Sequence, residues 1–293
     1  MTLRLGRAPA ITLVFIGLAC QEVGASIAVL LFPQTGPLGM VMLRLVFAAA
    51  VLLVIARPAL RGRGAGAWRA ILWFGFVLAL MNGLFYLALE RLPLGVTVTI
   101  EVLGPLVLSI VAARRAAAWL WAALAFAGVV ALGGGGWDRL DPIGVLFALG
   151  AAASWALYIL ASADTGRRTE GLDGLALAMS FGALLSLPFG LADAGASLLR
   201  PDVLALGFAV AMLSSMLPYA FELIALRRVS ASVFGILMAL GPATASLAGF
   251  LLLGQGLHML EVLGIALVIA ASMGAVLTAP KPAAEEPFTE PLA

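Results

Sequence analysis

Apolar and polar positions alternate along this chain in long waves rather than short ones. Ten apolar runs, at about 10–32, 37–56, 68–89, 94–113, 117–134, 142–162, 172–192, 203–226, 231–253 and 259–278, are separated by brief stretches holding Arg, Pro, Gly or Asp. A bilayer core of ~30 Å is crossed by ~20 apolar residues of helix, and these runs are close to that length. Backbone N–H and C=O groups in hydrocarbon must be satisfied within the segment, so the runs read as helices. The pattern predicts an all-α integral membrane protein of ten transmembrane helices joined by short loops. Residues 279–293, APKPAAEEPFTEPLA, break the pattern; they are polar and Pro-rich and read as a disordered tail.

Composition agrees with this reading. The 293 residues are 63% hydrophobic and 11% charged, with a mean hydropathy of +1.13, whereas soluble domains are about 25% charged. A formal charge of +2 gives no basic face for nucleic acid. One cysteine, Cys20, permits no internal disulfide, and one histidine, His258, leaves too few ligands for a zinc site. No metal, no cofactor and no nucleophile-base pair is indicated. Arg4 and Arg7 ahead of an apolar run resemble a secretion signal, but the run from Ala8 to Phe32 is longer than such signals carry, so it reads as the first span.

Charge in the loops sets an orientation. Alternating the loops between two faces puts thirteen of the 17 Lys and Arg on one face, with Arg91, Arg139 and Arg200 on the other and Arg44 within a span. The basic face is the cytoplasmic one, so both termini are expected in the cytoplasm.

A weak internal repeat divides the chain. LERLPLGVTVTIEVLGP (89–105) aligns without gaps to LRRVSASVFGILMALGP (226–242) at an offset of 137, matching Gly104-Pro105 to Gly241-Pro242. Five spans separate the copies. Five is odd, so the second copy enters the membrane from the opposite side, which is the inverted repeat of many secondary transporters. The expected organisation is a first five-helix repeat at 1–134, a linker at 135–141, a second repeat at 142–278 and the tail at 279–293.

Charges inside spans are costly and mark cavities, partners or ion paths. Glu22, Arg44, Asn82, Glu101 and Glu222 fall within spans, with Tyr86, Trp155, Tyr158 and Tyr219. Glu101 is about 12 Å along its helix from the outer start, too deep for its short side chain to reach the interface. It is a candidate proton or substrate-amine site, or one half of a structural ion pair. Arg44 can bind a substrate carboxylate through two parallel hydrogen bonds, or pair with Glu22 or Glu101. Glu222 is close enough to a helix end to reach water. Asn82 and Tyr86 lie one turn apart, as do Ser154 and Tyr158 with Trp155 between them; such faces can wall a pocket or simply pack. Pro105, Pro218 and Pro242 lack an N–H, so the carbonyls of Glu101, Ser214 and Met238 lose their helical donors. Those carbonyls are free to take a cation or an ammonium, or the prolines only kink the helices.

MNGLFYLAL, PLGVTVTIEVLGPL, SWALYIL, LPYAFELIAL and IAASMGAVLT together resemble the bacterial threonine/homoserine exporters, EamA-type members of the drug/metabolite transporter superfamily. The resemblance runs from about residue 15 to 279. It implies ten helices in two inverted halves, a bacterial inner-membrane location and proton-coupled export of small amino acids. It also implies that Arg44, Asn82, Tyr86, Glu101, Trp155, Tyr158, Tyr219 and Glu222 surround a central cavity. The chain departs from the family pattern at Gly241 and Gln255, where Glu is common, and at Glu22, where an uncharged polar residue is expected. Export of another metabolite or an amphipathic drug by the same fold is the alternative. A membrane enzyme or scaffold is a third reading with no motif behind it.

Overall fold

The computed structural model describes residues 7–113, 116–133, 140–218, 221 and 237–278, and among these every regular element is a helix. In chain order they are α1 (Arg7–Ala56), α2 (Ala65–Leu89), α3 (Leu94–Glu101), α4 (Leu103–Ala113), α5 (Ala116–Gly133), α6 (Pro142–Arg168), α7 (Asp173–Ala194), α8 (Pro201–Ala211), α9 (Gly241–Leu253) and α10 (Met259–Thr278). Five stretches, Ile11–Ala56, Ala65–Leu89, Pro142–Arg168, Asp173–Leu199 and Met259–Thr278, are long and apolar enough to cross a membrane. Shorter apolar helices cover Leu94–Leu108, Trp119–Leu132, Pro201–Met216 and Gly241–Leu253. Each apolar run of the sequence thus has a helical counterpart, in whole or in part, although they are not ten separate full-length helices.

The first two expected spans are not joined by a loop. They form one element, α1, broken at a single residue: Gly36 has φ 64 and ψ 165, flanked by Pro33 and Pro37. The break is sharp because Pro37 needs no hydrogen-bond acceptor at the start of the second arm. Asp193, from the end of α7, completes the turn. Its carboxylate accepts from the N–H of Leu38 (2.8 Å) and Gly39 (3.4 Å). These are amides that a helix start leaves unpaired. The cap therefore comes from a helix 155 residues away rather than from the preceding residue. A side chain at position 36 would meet that carboxylate, and its positive φ disfavours any residue but glycine.

The expected fourth span, 94–113, is interrupted as well. Val102 is a turn between α3 and α4, with its own N–H donated to the Val98 carbonyl (3.0 Å). The cause is Pro105, which cannot donate to the carbonyl of Glu101. The companion Gly241-Pro242 also follows a turn, at Ala239 and Leu240, with Pro242 in the first turn of α9. Gly104 lies against the backbone carbonyl of Ala152, where any Cβ would collide, so α4 and α6 touch through their backbones. Small residues are what allow membrane helices to approach this closely.

The ends of the bundle are tied by charge. Arg63 pairs with Asp173, and Arg91 pairs with Asp141 at 2.8 Å at the opposite end of α2. Asp141 also caps α6, accepting from the N–H of Ile143 (2.8 Å) and Gly144 (3.4 Å). Gln255, just past α9, caps the other half: its side-chain oxygen accepts from the N–H of Leu94 (2.9 Å) at the start of α3. An amide performs this capping without a charge.

Two stability predictions follow from these caps. Gly36→Ala costs about 1–2 kcal/mol from the left-handed backbone alone, plus the collision with Asp193, and lowers the thermal midpoint in detergent; an unchanged midpoint would show that the turn relaxes freely. The Asp141 carboxyl is held below its ordinary value of 3.8, first by the Arg91 hydrogen bond and then by the α6 amides. A depressed carboxyl contributes its stability above its unfolded value and loses it as pH falls through the folded one. Asp141→Asn is therefore destabilising at neutral pH, and the gap from wild type closes only below 3.8; thermal melts across pH test this.

Candidate functional site

Four of the polar groups predicted from the apolar pattern come together from the two arms of α1, from α2 and from α3. Glu22 lies on the first arm of α1 and Arg44 on the second, while Tyr86 comes from α2 and Glu101 from the last residue of α3. Glu22, Arg44 and Glu101 lie within electrostatic reach of one another. In surroundings of low dielectric such interactions are several-fold stronger than in water.

Arg44 is held by a defined set of acceptors. Its Nε donates to the Ser215 hydroxyl (3.1 Å), Nη2 to the Ser214 carbonyl (3.0 Å) and Nη1 to the Tyr86 hydroxyl (3.4 Å). Its Cζ also lies 5.7 Å from the centre of the Tyr86 ring, a cation–π distance. Tyr86 is fully buried and packs on Phe32 at 5.8 Å. The planar fork of arginine suits this arrangement, because its five donors point in fixed directions.

The two carboxylates differ in access. Glu22 is 2% exposed, and its Oε2 has no hydrogen-bond partner among the described residues. Its backbone carbonyl accepts from the Ser26 hydroxyl (2.8 Å), which thickens the polar stripe on this arm. Glu101 remains half-buried at the break between α3 and α4. Of the two, it is the less buried and lies at a helix end.

The remaining predicted residues separate into groups. Asn82 is buried, but its amide donates to the Leu78 carbonyl of its own helix (2.8 Å). Tyr158 packs on Phe74 at 5.2 Å, and Trp155 is half-buried on the same helix. Tyr219 and Glu222 lie outside the described residues. Pro218 falls at the end of a π turn over Met212–Met216 that continues α8. The carbonyl it deprives of a donor, that of Ser214, is the one that takes the Arg44 guanidinium. The Ser214 carbonyl is the one that sequence reasoning marked through Pro218, whereas Ser215 was not singled out. The signal for both is the proline four residues past Ser214, together with a buried arginine in need of acceptors.

Chemically, a guanidinium beside two carboxylates can hold a small zwitterion, one end to each sign, or exchange a cation for a proton. Among the described residues, no group of three or more His, Cys, Asp or Glu could hold a metal ion. Glu22→Leu is expected to raise the thermal midpoint, since it removes a buried oxygen lacking a hydrogen bond, a feature worth roughly 1–3 kcal/mol. A lower midpoint would show instead that Glu22 is needed to balance Arg44.

Residues 142–277 match the model of the EamA-like transporter family. Over 274 residues the chain is 38% identical to the threonine/homoserine exporter RhtA of Escherichia coli K12, covering 92% of each chain. The threonine/homoserine exporter RhtA of Salmonella typhimurium LT2 is also 38% identical over 274 residues, covering 92% of this chain and 91% of its own. An uncharacterized transporter of Bacillus subtilis, YvbV, is 30% identical over 126 residues, 39% of each chain. A solved crystal structure, 20% identical, superposes with a TM-score of 0.60 over 94% of this chain and 98% of its own. At that identity it supports the fold alone.

Proposed function

The chain belongs to the EamA-like transporter family, multi-pass proteins of the inner membrane and not enzymes, and on that footing we propose that it exports small amino acids of the threonine and homoserine type, or related metabolites, coupled to protons. The observation that carries this reading is the Arg44 guanidinium within electrostatic reach of Glu22 and Glu101 in the membrane interior. An amino acid presents one carboxylate and one ammonium. Arg44 complements the first, and Glu101, on its broken helix, complements the second.

The same carboxylate supplies the coupling. A proton arriving from outside neutralises Glu101 and removes its hold on the ammonium, so substrate and proton compete for one group. Desolvated charges attract strongly only when paired, which makes the protonated, substrate-free site and the substrate-loaded site the two favourable states. Alternating access would rock one five-helix half, 1–134, against the other, 142–278, with both termini in the cytoplasm. The interruption of helix just before each Gly-Pro pair supports treating the halves as inverted copies, and the family match over 142–277 supports reading the second half as a unit.

One observation favours a second reading. Glu22 adds a buried carboxylate where the family pattern expects none, and two carboxylates against one arginine suit a cationic metabolite or drug as well as a zwitterion.

Proteoliposomes with an imposed pH gradient test both. Threonine or homoserine should move in wild type, and Glu101→Gln should lower the rate by about tenfold or more, the worth of one hydrogen bond to a charged group. A flat trace across an amino-acid panel, with Glu101→Gln indistinguishable from wild type, would sink the proposal. Competition by organic cations but not by amino acids would favour the second reading.

A further inference from the structure

The feature that the transport reading leaves unused is the π turn of α8. Over Met212–Met216 the helix widens by one residue per turn, and the N–H of Leu217 bonds to the carbonyl of Met212, five residues back. Single π turns of this kind are uncommon and recur at functional sites. Here the cause is local. Pro218 has no N–H to give the Ser214 carbonyl, and in a regular α-helix its ring would press on that same carbonyl. In the widened turn that carbonyl accepts from Nη2 of Arg44 (3.0 Å).

Both serines of this turn are buried, at 4% and 3% exposed, and each is used on the arms of α1. The Ser214 carbonyl and the Ser215 hydroxyl accept from Nη2 and Nε of Arg44 on the second arm. The Ser214 hydroxyl faces the first arm, where it approaches the Gln21 carbonyl (3.5 Å) and fills the space that a side chain at Gly24 would need. Gln21 is the neighbour of Glu22. One irregular turn therefore sets the distance between the arm carrying Glu22 and the arm carrying Arg44.

We propose that Ser215, with the Ser214 carbonyl vacated by Pro218, is the positioning device for Arg44, fixing the guanidinium plane so that the transporter selects substrates bearing a carboxylate. The inference rests on the exporter reading for its substrate, but the anchoring of Arg44 is a property of the fold. Two of the five guanidinium N–H groups are committed to α8, and two acceptors on adjacent residues define a plane where one would leave a pivot. Selection of a carboxylate depends on such a plane, because two parallel hydrogen bonds form only when the fork is already oriented. Without the anchor the charge persists but the geometry does not. Discrimination between a carboxylate and its ester should then fall while general transport survives.

The test compares threonine with threonine methyl ester, which keeps the ammonium and lacks the negative charge. Reconstituted Ser215→Ala should raise KM for threonine about tenfold, the value of a hydrogen bond to a charged group. Vmax and the KM for the ester should stay within about twofold of wild type on the same grounds. Ser215→Thr keeps the hydroxyl and should restore threonine KM. Pro218→Ala returns a backbone donor to the Ser214 carbonyl, withdraws it from Arg44 and should raise threonine KM in the same way. A readout that needs no transport runs beside these: modification of Arg44 by phenylglyoxal, followed by mass spectrometry, should be faster in Ser215→Ala than in wild type and slow again in Ser215→Thr. If wild type moves neither compound but this labelling order holds, the exporter reading fails and the anchor stands. If wild type transports threonine and Ser215→Ala alters neither threonine KM nor Arg44 labelling, the anchor is overturned. A parallel rise in KM for both compounds also overturns it, since that marks general damage to the helix.

Discussion

No water reaches the backbone of a helix buried in hydrocarbon, so a carbonyl that loses its donor must find another within the protein. Prolines inside the apolar helices impose that demand on this chain, Pro105, Pro188 and Pro218 among them. At Pro218 the answer is visible: the Ser214 carbonyl takes a donor from Arg44. The exchange serves both groups. A charged guanidinium in a membrane needs acceptors as much as an orphaned carbonyl needs a donor. Each defect stabilises the other, and the place where they meet brings together both arms of α1, α2 and α8.

Around that contact the helices are arranged by backbone proximity more than by large side chains. Gly104 against the Ala152 carbonyl and Gly24 against Ser214 are points where any added Cβ would collide. Lipid tails are as apolar as leucine, so burial alone does not drive such helices together, and close contact with directed hydrogen bonds has to do so. The Gly36 turn is the extreme case. It folds α1 back on itself through one left-handed residue and takes its cap from Asp193 on α7. This brings Glu22 and Arg44, twenty-two positions apart in sequence, to one site.

The charges at that site are few, which gives each of them weight. Glu22 is closed in and Glu101 is partly open, although they share one electrostatic neighbourhood with Arg44. Under the proposed function, that difference gives two like groups different parts, one setting the field and the other exchanging its partner. Gln255 makes a complementary point. It caps the N–H of Leu94, at the start of α3, with a neutral amide.

Much of this protein was legible in its sequence because the causes are local. Apolar runs become helices since the bilayer leaves the backbone no alternative. Glu22, Arg44 and Glu101 stood out because charge in an apolar run is expensive wherever the run goes. The breaks at Pro105 and Pro218, and the loss of a donor at Ser214, follow from proline having no N–H. Tertiary structure alone decided what answers each demand. That the Ser214 carbonyl meets Arg44 across 170 positions, that Asp193 caps the Gly36 turn across 155, and that Gln255 caps Leu94 across 161 could not be read along the chain. The sequence states which groups need a partner; only the folded helices bring distant residues close enough to supply one.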